Sequence, residues 1–391
     1  MLYLLPYGST TPNNIEFLMD DLREINKKLI KNYIPIKNQP RFIPVIDGPI
    51  FIFYDQEPLY GTFNYPLFDY IQNNYRGPFI LVSTEKDSTP LDDIIQKYGW
   101  QHVYYFHHAF AAADWYRGYK FNKALLRPSI RKINKKFITF NRITGHNRVY
   151  RSIFIAELNK KKLLKYGNIS YSDVCPVHGH YSENLSYAVN NFSINNNYIL
   201  ETKSNLDKIN YPLRLDNPTL SSIPNGSQTI GPLNYLMESF LHVVTETCFW
   251  ERKKHLTEKI FKPIVAKQPF VLLGCAHNLS YLKEYGFKTF DSWWDERYDL
   301  IEDPIQRINA VVEIIETISK MSNSQLEKIL QDMELVLNYN FNWFYSDEFL
   351  NLAWNELFFN IKNSTQKFKN NEEKRIYMES YPDAYFPEHG I

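Results

Sequence analysis

Four short stretches of this chain carry side chains whose types and spacing could do chemistry. The first is Leu256 to Gly274, LTEKIFKPIVAKQPFVLLG, which reads as a helix followed by a buried strand. Thr257 is placed to cap that helix, because its hydroxyl can accept a free first-turn N–H, and Glu258 sits where the helix dipole favours an acid. Lys259 and Lys262 oppose the dipole. A docked anion resolves that conflict, since open N–H groups and ammonium groups together make a phosphate site. An ordinary amphipathic helix with a solvated Glu–Lys pair has the same spacing, and the residues alone leave both readings open.

The second stretch is Lys136 to Leu158, a strand, a glycine-bearing turn and an amphipathic helix. Arg148 and Arg151 are three apart and share one face near the predicted helix start, where two cations again fit an anion or a set of acidic partners. In the third, the apolar run Pro49–Tyr54 stops at Asp55-Gln56-Glu57-Pro58. Pro58 biases Glu57 towards an extended conformation, so the carboxylates lie at a strand's C-terminal edge, where open α/β sheets bind ligands. Either acid could serve as a general base; either could be a solvated loop residue.

The fourth stretch, His107 to Arg117, holds His107, His108 and Trp115. Adjacent histidines cannot share a helix face, which argues against a metal pair and leaves an acceptor-side wall or a surface turn. Cys175, His178 and His180 are ligand types at close spacing, but a structural zinc needs a fourth ligand and none is evident. No metal site is expected.

The elements that would position these groups alternate. Strands are predicted near 2–7, 42–46, 49–54, 78–83 and 102–106, with helices at 14–31, 66–73 and 91–98 between them, the order of a doubly wound parallel sheet. A basic, irregular segment at 120–134 reads as a linker. A second cycle follows: strand 136–140, helix 152–158, a weakly periodic region 167–231, a short helix at 232–239, strand 240–245 ending at Glu246-Thr247, and the helix–strand unit at 256–274. A short helix at 278–285, a final strand at 286–290 and helices at 304–320, 324–338 and 346–360 complete the pattern, the second of these opening on a Ser324–Glu327 capping box. The expected units are 1–125, 135–345 and a C-terminal helix and tail at 346–391.

Composition narrows the function classes. With 44 basic and 43 acidic residues the net charge is +1, against a broad nucleic-acid surface. The 29 Tyr and 27 Phe suit sugar stacking, but with the abundant Asn and Lys they are also what AT-rich codons give. Three cysteines make no disulfide framework, which fits a reducing compartment. No signal peptide and no membrane-length apolar run is evident, so a soluble, cytoplasmic protein is expected.

Three of these segments resemble, in order, the α1,3-fucosyltransferase family. IFIFYDQEP resembles its hydrophobic strand ending in a glutamate–proline acceptor motif, Phe137–Leu158 its strand, turn and arginine-led helix, and Glu246-Thr247 with Thr257-Glu258-Lys259 its donor-binding E-N…V-T-E-K block. The resemblance implies a GT-B architecture: two Rossmann-like domains with a cleft between them and C-terminal helices. It implies Glu57 as the base, with Asp55 beside it. Arg151, Lys259 and Arg148 would grip the diphosphate, Glu258 the donor ribose, and Glu246 would orient the donor. The family's asparagine is replaced by Thr247, His255 stands near a donor-binding tyrosine, and the loop between is about two residues longer. Pro263 should kink the following helix.

The resulting expectation is an inverting, metal-independent glycosyltransferase. No Asp-x-Asp triplet is present to hold a divalent ion on the donor, so Arg, Lys and helix N-termini must stabilise the leaving diphosphate. The donor would be a nucleotide diphosphate sugar, GDP-fucose by resemblance, and the acceptor an oligosaccharide or polysaccharide. Two rivals share the fold: a transferase acting on modified bases of DNA, and a catalytically silent glycan-binding protein.

Overall fold

The computed structural model describes residues 2–5, 32–35, 42–43, 50–54, 58–60, 64–74, 78–113, 116, 131–213, 215, 233–366 and 377–378. It is a mixed α/β protein built on parallel sheets, and its chain divides into two compact units, 1–111 with 350–391 and 112–349. Predicted helix 14–31, Asp55, Glu57, Trp115 and most of the predicted linker lie outside the described residues.

Among the described residues, the N-terminal part of the first unit holds strands β1 (Leu2–Leu5), β2 (Asn32–Pro35), β3 (Phe42–Ile43), β4 (Ile50–Phe53), β5 (Phe79–Ser83) and β6 (Gln101–Tyr104). Five of them form a parallel sheet in the order β2–β1–β4–β5–β6, and β3 pairs antiparallel with Tyr377–Met378. The five residues of β5, FILVS, are all buried, as a parallel strand covered on both faces requires. Helix Thr89–Tyr98 begins on Ser88, whose side chain accepts from the Leu91 N–H, and stops at Gly99, whose φ of 65° a residue with a Cβ adopts only with strain. The later part of helix Asp347–Gln366 also belongs here. Its Trp354 packs on Phe110 at 4.4 Å, and Asn360 donates to the Tyr104 carbonyl at 2.9 Å.

In the second unit, β7 (Lys135–Phe140) and β8 (Gly167–Ser170) are followed by a small antiparallel hairpin, β9 (Val174–Cys175) with β10 (Gly179–His180), then β11 (Ser239–Thr245) and β12 (Phe270–Leu273). The main sheet is parallel, in the order β12–β11–β7–β8. The chain leaves β7 to one side to form β8 and returns on the other side to form β11. The order therefore reverses between β7 and β11, and the crevice beyond their carboxyl ends is where such sheets bind ligands.

Several elements differ from expectation. Gly286–Phe290 is not a strand: its backbone is held by side chains, with Asn340 bonding Lys288 through both its carbonyl and its amide at 2.8 Å. The predicted helix 324–338 is two helices, Asn323–Asp332 and Glu334–Phe344, and the capping box is Ser322 with Gln325. The weakly periodic region 167–231 contains β8, the hairpin and helices Tyr181–Phe192 and Asn196–Leu206. Helix Tyr150–Lys160 is not amphipathic. Every residue from Tyr150 to Leu158 is buried, because helices Asn196–Leu206 and Pro304–Lys320 pack against it as well. Pro263 lies in the first turn of the short helix Phe261–Val265, where its missing N–H needs no partner. Among the described residues, no helix is long and apolar enough to cross a membrane.

Candidate functional site

The loops leaving β7 and β11 meet at that crevice. Glu246, the residue after β11, is fully buried. One carboxyl oxygen accepts from the Thr257 N–H at 3.3 Å; the other accepts from the Thr257 hydroxyl at 2.5 Å and the Thr247 N–H at 3.2 Å. Burial pushes the Glu246 carboxyl above the usual range and the Glu258 charge adds to this, while Lys259 and the Thr257 bonds pull it back. Thr257 caps the short helical turn Glu258–Ile260, as its position in sequence predicts. Lys259 Nζ bonds Thr247 Oγ1, Thr257 Oγ1 and Glu258 Oε1, each at 3.1 Å. An ammonium has three N–H donors, so all three are engaged inside this cluster. Glu258 is buried and Lys259 is 30 % exposed. Tyr116, also buried, has its hydroxyl pushed well up by burial and by the charges of Glu258 and Glu246.

The two arginines part company. Arg151 is buried, and its guanidinium donates to the carbonyls of Ile143 (2.8 Å), Thr245 and Glu246 (2.9 Å each) and to the Tyr150 hydroxyl (3.5 Å). It ties the β7 loop to the end of β11. Arg148 lies in the short turn His146–Arg148 and is half-buried; among the described residues its guanidinium makes no hydrogen bond or ion pair. The predicted shared face therefore holds one structural and one uncommitted cation.

Residues that the sequence did not single out hold the two loops in place. The Tyr150 hydroxyl donates to the Glu246 carbonyl at 2.5 Å, and its ring stacks on Phe249 at 4.0 Å. Arg307, buried, covers the Phe249 ring at 4.5 Å and donates to the carbonyls of Phe249 (2.7 Å) and Gly274 (3.0 Å). The Asn278 side chain bonds the backbone of His255 in both directions, at 3.2 and 3.1 Å. His255 itself is fully buried. Tyr150 lies between the two predicted arginines and was visible as a neighbour; nothing local marks Arg307 or Asn278.

Near the hairpin, burial pushes the Cys175 thiol up, but the N–H groups of Thr144, Val177, His178 and Gly145 outweigh it and the net shift is downward. The His178 ring stacks on His146 at 3.8 Å, and His146 on Tyr187 at 4.6 Å. His180 bonds Ser182 at 2.8 Å. Among the described residues, no group of three or more His, Cys, Asp or Glu is placed to hold a metal ion.

In the first unit, His107 and His108 are buried, His107 with its Nδ1 3.0 Å from the Tyr105 hydroxyl. Asp55 and Glu57 follow β4 directly in sequence. The residues on either side are braced by two buried polar groups: Glu85 accepts from the Leu59 N–H at 2.6 Å, and Asn64 bonds both the Tyr60 N–H (2.7 Å) and the Tyr54 hydroxyl (2.8 Å). Glu85 stands two residues beyond β5, a buried carboxylate at the same edge that sequence reasoning passed over.

No known family model matches this sequence, and no curated protein is significantly similar to it.

Proposed function

We propose that this chain is an inverting, metal-independent glycosyltransferase of GT-B architecture, moving a sugar from a nucleotide diphosphate donor to a glycan hydroxyl. GDP-fucose is the donor favoured by the motif resemblance. The observation that carries the reading is the convergence of the β7 and β11 loops at the sheet's reversal point, with Arg148, Glu258 and Lys259 on them. That is the place and the donor set a sugar nucleotide needs.

In this reading Glu57 removes the proton from the acceptor hydroxyl as it attacks the anomeric carbon, and the diphosphate leaves from the opposite face. Arg148 and Lys259 stabilise the charge that develops on the diphosphate, and Glu258 accepts from the donor ribose. Arg151, with four of its donors on backbone and tyrosine oxygens, holds the loop rather than the phosphates. Glu246 fixes Thr257 and with it the turn that presents Glu258 and Lys259.

Thermal unfolding with GDP, UDP, CMP and dTDP tests the donor site, since a ligand bound only by the folded state raises the melting temperature. One diphosphate should stabilise the protein, with or without Mg²⁺, and Lys259→Ala should reduce the shift. Glu57→Gln should keep that shift and lose transfer by orders of magnitude. No stabilisation by any nucleotide would end the donor reading; full turnover in Glu57→Gln would remove Glu57 from the mechanism.

A further inference from the structure

Lys259 can act on a diphosphate through its charge, but hydrogen-bonding the phosphates takes cationic donors that are not already committed. Lys259 has its three N–H groups on Thr247, Thr257 and Glu258, and Arg151 has four of its five on oxygens of the fold. The uncommitted positive capacity lies one turn away. Arg148 is half-buried and makes no hydrogen bond or ion pair among the described residues, and beside it are two imidazoles, the exposed His146 and the half-buried His178, stacked at 3.8 Å. No ring nitrogen of either histidine is hydrogen-bonded among the described residues. We propose that Arg148, His146 and His178 form a phosphoryl-binding seat, which takes the donor's diphosphate with uptake of protons by the imidazoles. This rests on the donor reading above and names the side chains that hold the anion.

The surroundings favour it. Burial, then His146, then Arg148 push His178 down to about 4, and burial lowers His146, so both imidazoles are neutral at neutral pH in the absence of an anion. Protonating either would place a second or third cation beside Arg148, which an arriving phosphoryl group reverses from penalty to attraction. Other titratable groups lie near the stack among the described residues. The hairpin brings the Cys175 thiol, which accepts from the His178 and Gly145 N–H groups. Helix Tyr181–Phe192 brings Tyr187, against His146, and Glu183, whose carboxylate lies over Gly179; the β11 loop brings Glu251, near enough to raise Tyr187. Among the described residues, neither carboxylate is hydrogen-bonded to an imidazole or to Arg148.

Calorimetric titration with GDP, UDP, pyrophosphate and sulfate between pH 5.5 and 8, in buffers of different ionisation heat, tests this. Sulfate keeps its charge across that range and so isolates the protein's own protons. Affinity should rise as pH falls, by up to about tenfold per pH unit for each proton taken up. His178→Gln should flatten that slope, and Arg148→Gln should weaken every anion at every pH by about tenfold or more. Binding with no proton uptake, or unchanged in His178→Gln and Arg148→Gln, overturns the seat. If nucleotide is then still lost in Lys259→Ala, the donor reading survives without it. Pyrophosphate and sulfate bound in a His178-dependent way, with no nucleotide bound, would support the seat and overturn the donor reading. Failure of every anion to bind overturns both.

Discussion

Glu246 and Lys259 share a single hydroxyl. Thr257 Oγ1 donates to Glu246 Oε2 at 2.5 Å and accepts from Lys259 Nζ at 3.1 Å, so one proton links a buried carboxyl to the half-exposed cation of the turn. Thr257→Val keeps the shape and deletes the link. Leaving a buried carboxylate short of a donor costs about 1–3 kcal/mol. The loss should be greatest where Glu246 is ionised. Its folded pKa is raised, so the protonated form's stabilisation is complete below the unfolded value of 4.5 and fades as pH rises through the folded one. Urea midpoints should therefore separate wild type from Thr257→Val more at pH 8 than at pH 4.5, with Thr257→Ser close to wild type throughout. An equal separation at both pH values would mean the hydroxyl does not act through the carboxylate.

Gly274 leaves room for the same cluster. A Cβ there would lie 2.9 Å from Asn278 Nδ2 and 3.2 Å from Glu246 Cβ. The Asn278 amide cannot move aside freely, because it holds the backbone of His255. Gly274→Ala should destabilise by about 1–3 kcal/mol, the cost of overpacking a filled site. Asn278→Ala removes the clash along with the latch, so the double variant should lose less than the sum of the singles. Strict additivity in denaturant unfolding would show that Gly274 and Asn278 do not meet.

Arg151 and Arg148 should separate stability from binding. Arg151→Lys keeps the charge but cannot reach the three carbonyls that the guanidinium bridges, and should cost on the order of 3 kcal/mol. Arg148→Gln should change stability by less than about 0.5 kcal/mol, because its guanidinium makes no hydrogen bond or ion pair among the described residues. The check is the urea midpoint at constant slope for each variant. A destabilised Arg148→Gln beside an unaffected Arg151→Lys would reverse the roles given to them.

The parallel sheets were legible because buried strands such as FILVS and FVLL are continuous apolar runs between punctuating Gly and Pro, and Pro304–Lys320 was read to the residue. Thr257 as a cap was legible too, since capping is local chemistry. Contacts between distant segments were not. Asn340 replacing a strand partner for Lys288, or Arg307 covering Phe249, joins residues more than fifty positions apart, and neither leaves a periodic trace. The division of labour between Arg148 and Arg151 is of the same kind. Spacing put them on one face, whereas two of the three carbonyls that claim Arg151, those of Thr245 and Glu246, come from the end of a strand more than ninety positions away.

His242 sets a pH limit on the fold. It lies fully buried in β11, its Nδ1 without a partner among the described residues, and burial, with the charges of Lys262 and Arg131, pushes it down to about 3. Its unfolded pKa is 6.5. Above that value both states are neutral and nothing is lost. As pH falls below it, the unfolded chain takes up a proton that the folded one refuses, so stability declines continuously until about pH 3. At pH 5 the loss from this one group is about 2 kcal/mol. His178 and His102, each lowered to about 4, act in the same direction. His242→Leu should thus be less sensitive to acid than the wild type between pH 6.5 and 4, while the two differ by a constant amount above pH 7. Melting curves that run parallel across the whole range would show that His242 is not a source of the acid limb.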